Sequence, residues 1–315
     1  MSSTQLKLIA GGLLLLLLLW GASALLSRGP DSVRASLDLR VRVLADVDSI
    51  TIVKGQDTIA IARQSATDWT VNGHRAALAS VTELFQALRD TVRPELVAQD
   101  SSSFARLEVD SAGGRWLRLR HGGKPVLEVI VGTRPTDFQS AYLRRPGDTH
   151  VYLWRGRLGA LVERPVDDWR DKRIAGLAPD SIAAVAVVRG AERYALTRAG
   201  KGWKVNGAIA DSGAVARYLE RFKAITATGF ATPEEGDSLG TRRRPPARRP
   251  PTRRLEVRST RGVLVSLAFD STAGGFLVRH VAGTGGEGGT VYRMNVWDVD
   301  GVTPASRSLL PTDKK

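Results

Sequence analysis

The sequence predicts an α+β protein: an N-terminal transmembrane helix followed by two tandem repeat units of antiparallel sheet with one main helix each. Three observations predict it. Leu8 to Leu26 reads LIAGGLLLLLLLWGASALL, 19 residues without a charge. Short motifs recur downstream in the same order, at offsets of 132 to 148 residues. Within each copy, runs of period two are punctuated by Gly-rich turns and accompanied by one segment of helical period.

The apolar segment comes first. As a helix it spans about 28 Å at 1.5 Å per residue, enough for a hydrocarbon core. It has no polar face, as a soluble amphipathic helix would. It reads either as an uncleaved anchor, which the seven leucines Leu13 to Leu19 and Trp20 favour, or as a signal peptide with Lys7 before it and Ala22-Ser23-Ala24 as cleavage site. Residues 1–28 are therefore a membrane or signal segment. Lys7 precedes the segment, and Arg28, Arg34 and Arg40 follow it. By the positive-inside rule alone this pattern points to a cytoplasmic domain.

The repeat motifs divide the remainder into a first unit over 45–175 and a second over 176–305. Asp48-Ser49-Ile50 matches Asp180-Ser181-Ile182, and Trp69-Thr-Val-Asn72-Gly73 matches Trp203-Lys-Val-Asn206-Gly207. Arg106-Leu-Glu-Val-Asp-Ser111 matches Arg254-Leu-Glu-Val-Arg-Ser259, Ala141-Tyr-Leu matches Gly275-Phe-Leu, and Val151-Tyr152 matches Val291-Tyr292. Ile50–Val53 and Thr58–Ile61 predict a hairpin around Gly55, and Trp69–Val71 a third strand. Asn72-Gly73 is a strong hairpin-turn signal. Val81, Leu84, Phe85 and Leu88 predict a helix over 77–92, and strands are expected at 106–109, 115–119 and 126–131. The second copy predicts strands at 182–188, 193–197, 203–205, 255–258 and 264–269, with a helix over 212–225.

Composition bounds the chemistry. At about 150 residues per domain, 315 residues make about two domains. With 43% hydrophobic and 25% charged residues the chain is able to bury a sizeable core. It contains no Cys, which rules out disulfides, thiolate zinc sites, iron–sulfur ligation, thiol catalysis and a lipidated N-terminal Cys. The net charge is +14, from 46 basic and 32 acidic residues.

Half of that excess sits in residues 241–254, TRRRPPARRPPTRR. Arg242, Arg243, Arg244, Arg248, Arg249, Arg253 and Arg254 are candidate anion-binding residues on an extended, Pro-stiffened loop, with lipid head groups or an envelope polymer as ligand. The bland alternative is a solvated surface loop. No aromatic residues are interleaved, and with the membrane segment this argues against nucleic acid. Residues 163–173, ERPVDDWRDKR, join the two units. Asp168, Trp169, Arg170, Asp171, Lys172 and Arg173, with Asp167, either lace that junction together or dock a partner. Trp69 and Trp203, at equivalent positions, read as core, the alternative being an exposed Trp that stacks on a sugar ring.

No catalytic, cofactor or metal signature emerges. Gly283 to Gly288 fits GxGxxG, but both flanks read as strands and a dinucleotide site needs a following helix. His74, His121, His150 and His280 are scattered without metal spacing. No nucleophile elbow or phosphate loop is present. The pairs Asp46/Asp48 and Asp298/Asp300 lack the further oxygens a divalent cation needs. The expectation is a non-catalytic protein without cofactor. A hydrolase would require a pocket of convergent carboxylates or histidines.

With the apolar segment, the W-x-V-N-G repeat and Trp169 to Ile174 (WRDKRI) in view, the chain resembles domain of unknown function family 4340 over residues 45–300. The resemblance implies a single N-terminal membrane segment followed by repeated α+β units outside the cytoplasm. It also implies genes beside gliding-motility-type ABC transporters. It supplies no catalytic residues, and the Arg/Pro insertion departs from its pattern. The expected function is a membrane-anchored extracytoplasmic accessory protein of an ABC-type envelope transport or gliding-type complex in the bacterial inner membrane. Its partners would be the bilayer, through Leu8 to Leu26, and the permease and auxiliary subunits. The alternative is a periplasmic module holding an anionic polymer or lipid on its basic loop.

Overall fold

The computed structural model describes residues 37–39, 46–90, 92–135, 139–232, 234–235, 251–281 and 289–311. The apolar segment Leu8 to Leu26, Arg242 to Arg249 and the GxGxxG stretch lie outside them. Among the described residues no helix is long and apolar enough to cross a membrane. Backbone contacts group the chain into two compact units. One is Met1–Val47, Ile52–Thr58 and Phe85–Val162; the other is Asp48–Thr51, Ile59–Leu84 and Glu163–Lys315.

Two nine-stranded sheets dominate, and every strand pairing described in register is antiparallel. The first holds β1 (Ser49–Lys54), β2 (Asp57–Arg63), β3 (Trp69–Val71), β4 (His74–Arg75), β5 (Glu95–Ala98), β6 (Arg115–His121), β7 (Lys124–Val131), β8 (Ser140–Arg144) and β9 (Val151–Arg155). Its order is β4-β3-β2-β1-β6-β7-β8-β9-β5. Next comes β10 (Arg173–Ala175). The second sheet holds β11 (Ala184–Arg189), β12 (Glu192–Ala199), β13 (Gly202–Val205), β14 (Ala208–Ile209), β16 (Gly229–Phe230), β17 (Arg253–Ser259), β18 (Gly262–Thr272), β19 (Gly275–His280) and β20 (Tyr292–Met294). Its order, β14-β13-β12-β11-β17-β18-β19-β20-β16, repeats the first place by place. β15 (Ile225–Thr226) pairs with β10 in a two-stranded ladder.

The helices follow the apolar period. α1 (Leu78–Arg89) buries Val81, Leu84, Phe85 and Leu88. α2 (Leu158–Val162) is short and mostly buried. α3 (Ser212–Glu220) buries Val215, Tyr218 and Leu219, and Asp211 caps it by accepting the Ala214 N–H at 2.6 Å. α4 (Val296–Val302) is capped by Asn295. The core of the second sheet gathers Val185, Val187, Leu196, Leu255, Val257, Leu267, Phe269 and Val278 around Phe222.

Equivalent sheet positions show which sequence matches are structural. Trp69–Gly73 and Trp203–Gly207 coincide. Asn72 and Asn206 have φ of 46° and 47°, and Gly73 and Gly207 follow at 81° and 92°. Two consecutive positive φ values make the tight type I′ corner that Asn-Gly favours. Each Asn side chain then ties the corner to the neighbouring strand. Asn72 Oδ1 accepts the Ala60 N–H at 2.8 Å, and Asn206 Oδ1 accepts the Ala195 N–H at 2.9 Å. The Asn amides donate back to the carbonyls of the same residues, at 2.8 and 3.0 Å. Val151-Tyr152 and Val291-Tyr292 also coincide, because Tyr152 pairs with Leu143 as Tyr292 pairs with Val278.

The other matches slip. The same register sets Leu143 against Val278, so Ala141-Tyr-Leu and Gly275-Phe-Leu are one residue out of phase. The hairpin turns align Gly55 with Gly190, which makes Val47, not Ile50, the positional equivalent of Ile182. Residues 106–109, expected as a strand, form a packed turn in which Glu108 has φ 51°. Its carbonyls are satisfied outside any ladder: Leu107 accepts from the Thr133 N–H at 3.1 Å and Val109 from Arg144 Nε at 2.8 Å. Gly132 permits this approach, since a Cβ there would lie 2.1 Å from the Leu107 oxygen. The counterpart of β17 is β6, whose buried Leu117 and Leu119 match Leu255 and Val257.

Asn72→Ala and Asn206→Ala are each expected to lower stability by about 2 kcal/mol, combining one lost hydrogen bond with a left-handed backbone that Ala resists. Asn206→Gly should lose less, because Gly keeps the corner and forfeits only the side-chain bond. Urea unfolding of the three variants checks the ranking.

Candidate functional site

The charged segment after α2 is built around a buried indole. Val166–Asp168 forms one 3₁₀ turn, and Trp169 closes it by donating its N–H to the Val166 carbonyl at 3.0 Å. Trp169 is 0% exposed, so it offers no surface to a partner. Its carbonyl accepts the Ala77 N–H at 2.8 Å, just before α1, and the Asp168 carbonyl accepts from Ser80 Oγ at 3.0 Å. Arg170 bridges Ala76, and Asp171 donates its N–H to the Arg75 carbonyl at 2.8 Å. The segment thus adds to the free edge of β4.

Its charges are largely spent within the segment. Asp167 pairs with Arg170 at 3.3 Å and Asp168 with Lys172 at 2.8 Å. The Arg170 guanidinium also stacks on Phe230 at 3.5 Å. The Asp171 carboxylate accepts the Arg173 N–H at 3.0 Å. The Lys172 carbonyl accepts the Ala227 N–H at 2.8 Å, and Arg173 enters β10. Side-chain exposure of 46% and 44% at Asp168 and Asp167 leaves those carboxylates accessible.

Of the basic cluster, the structure describes Arg253 and Arg254. Both belong to β17 and not to the loop expected there. Arg253 is mostly buried and committed: its guanidinium meets Asp300 at 2.5 Å and Thr303 Oγ1 at 3.0 Å and lies over Phe276 at 4.8 Å. Arg189 meets the same Asp300 at 3.2 Å. Asp300 is therefore neutralised by two arginines, and Asp298 is engaged by Asn295 at 2.7 Å, which leaves this D-x-D pair unsuited to a cation. Arg254 is exposed.

The remaining candidates stay apart. Trp69 is core at 1% exposure, and Trp203 is half-buried under Arg198 at 4.9 Å. His121 is exposed and His74 half-buried. His280 Nε2 lies 3.1 Å from the Ile174 carbonyl, and His150 Nδ1 lies 2.7 Å from Asp148. Burial opposes ionisation of Asp148, but the His150 N–H and ring outweigh it and lower its pKa. Among the described residues no three His, Asp or Glu side chains gather as a metal site.

Two groups carry no sequence signal. Tyr194 and Tyr218 donate to the Pro304 and Val302 carbonyls at 2.7 and 2.9 Å, and burial pushes the Tyr218 hydroxyl pKa well above its ordinary value. Glu192 accepts the Ser306 N–H at 2.8 Å, and its hydrogen bonds to Ser306 lower its pKa. These contacts hold the end of α4 and the chain that follows it.

Trp169→Ala is expected to cost about 3–5 kcal/mol as a buried large-to-small change, whereas Asp168→Asn should change stability by less than about 1 kcal/mol. Trp169→Leu should fall between them; urea midpoints order the three. Because the folded pKa of Glu192 is depressed, its contribution is present at neutral pH and lost as pH falls below the usual glutamate value of about 4.3. Glu192→Gln should flatten that acid limb of stability, measured by unfolding at a series of pH values.

A family model described as Domain of unknown function (DUF4340) matches residues 69–243. No curated protein and no solved structure matches the chain. The matched span covers more than half of the sequence and runs from Trp69 through the Trp169 segment, α3 and the start of the Arg-rich stretch. The chain belongs to the DUF4340 family.

Proposed function

We propose that the protein is a non-catalytic, membrane-anchored accessory subunit of an ABC-type envelope transport or gliding-type complex. The observation that carries the proposal is the 19-residue uncharged segment Leu8 to Leu26 placed ahead of two sheets of identical strand order. A duplicated antiparallel scaffold offers sheet edges and loops as binding surfaces without needing a reaction centre. In this reading the segment holds the protein in the bacterial inner membrane and the two tandem units, each with one main helix, stand outside the cytoplasm. Membership of the family supports that placement by analogy with its other members. The transporter enters through the gene neighbourhood that the family resemblance implies.

Affinity purification of the full-length protein from cross-linked native membranes, followed by mass spectrometry, tests the proposal. Recovery of an ABC permease with its ATPase is the expected result. Recovery of anionic polymer or lipid alone, released by salt, would replace it with the polymer-binding alternative through the Arg242 to Arg254 region.

A further inference from the structure

The two copies run in step from β9 and β20 onward. Tyr152 and Tyr292 hold equivalent positions. So do Trp169 and Leu309, whose carbonyls accept the Ala77 and Asp211 N–H groups at 2.8 and 2.9 Å. Each pair is separated by 140 residues, so the stretch between them matches residue by residue. The buried positions agree: Trp154 with Met294, Gly159 with Val299, and Val162 with Val302.

At one place the second copy carries what the first does without. Gly156-Arg157 of the first corresponds to Val296-Trp297, which opens α4. Val296 is 48% exposed and Trp297 85%, the highest exposure of any large apolar side chain among the described residues. The first copy forms α2 with neither side chain, so the fold does not need the pair. Two neighbouring apolar groups left in water, one of them an indole, mark a contact surface.

The surroundings are basic. Gly301 lies one turn after Trp297 on the same face of α4. A Cβ there would come within 2.7 Å of an Arg221 guanidinium nitrogen, so the missing side chain admits Arg221 against the helix. The first copy has Leu161 at this position. Arg221 follows α3 directly, and Arg217 stands one turn before it. Both arginines are exposed, and neither has an ion-pair partner among the described residues. The nearby carboxylates are spent: Asp298 on Asn295, Asp300 on Arg189 and Arg253, and Glu220 on Lys223.

We infer that Trp297, Val296 and Arg221, with Arg217 behind them, form a contact site for the anionic surface of a lipid bilayer. The indole and the valine enter the interfacial layer, where Trp is favoured, and the arginines meet the lipid phosphates. A sugar ligand would need hydrogen-bonding side chains around the ring, but Asn295 and Asp298 bond each other. The inference rests on the membrane-anchored reading for the bilayer itself, which Leu8 to Leu26 would supply.

Because the chain has no Cys, Val296→Cys provides a single thiol for an NBD fluorophore. The labelled full-length protein is placed in nanodiscs of phosphatidylglycerol and phosphatidylcholine. Blue-shifted emission, quenched by nitroxide-bearing lipid and shielded from iodide, is expected. Arg221→Ser should lower the ratio of lipid-bound to free label by about fivefold, and Trp297→Ser by at least as much. Discs of phosphatidylcholine alone, or about 1 M salt, should reproduce the Arg221→Ser loss. Release of the protein from membranes by alkaline carbonate would defeat the anchored reading; the released protein should still show the blue shift with vesicles of the same two lipids, so the two readings fail separately. A label open to iodide and indifferent to lipid in discs and with vesicles would overturn the inference. So would shielding from iodide without quenching by nitroxide-bearing lipid, which would put a protein surface on Trp297.

Discussion

The left-handed corner at Asn72-Gly73, and its twin at Asn206-Gly207, is the constraint on which the rest of each edge depends. An Asn at positive φ is uncommon, and here its side chain repays the strain by accepting a strand N–H that lies opposite. The corner turns the third strand back on itself within two residues. That turn brings Ala76 or Ala210 onto the carbonyl of the preceding Trp and delivers the chain to the start of the main helix. Because the next amide bonds to a residue far downstream, Trp169 or Leu309, closing the corner also fixes where the end of the segment must lie.

The two copies solve the same problem with different side chains. An indole plugs one site and a leucine the other. A carboxylate caps α3, whereas α1 begins at Leu78 after Ala77. Tyr218 and Tyr194 hydrogen-bond to carbonyls at the end of α4 and just after it, where a leucine or isoleucine would merely pack. Backbone geometry is repeated more faithfully than composition, because hydrogen-bond directions are set by strand order and packing tolerates exchange of similar volumes.

The sequence made the α+β class, the hairpins, both main helices and the Trp-x-Val-Asn-Gly corner legible, because each rests on local rules of period and turn chemistry. Register was not legible. Arg106 to Ser111 matches Arg254 to Ser259 at all but one position, yet one is a packed turn and the other lies within a strand, since Thr133 and Arg144 satisfy the turn from a distance. The charged run around Trp169 reads on paper as a surface cluster. Its centre is buried because the indole, and not the charges, is the anchoring group. Arg253 likewise reads as part of a solvated loop, but Asp300 and Thr303, close in space and remote in sequence, draw it into β17.

The most direct measurement is amide hydrogen exchange of the intact protein, resolved at Ala60, Ala195, Ala77 and Asp211. All four N–H groups are held by acceptors outside regular ladders: the first two by Asn side chains, the last two by the carbonyls of Trp169 and Leu309. Slow exchange is expected at all four, with Ala77 and Asp211 protected at a level comparable to core strands. Exchange at the rate of an unfolded chain at Ala77 and Asp211, with the sheets still protected, would contradict the claim that the downstream plug closes each corner.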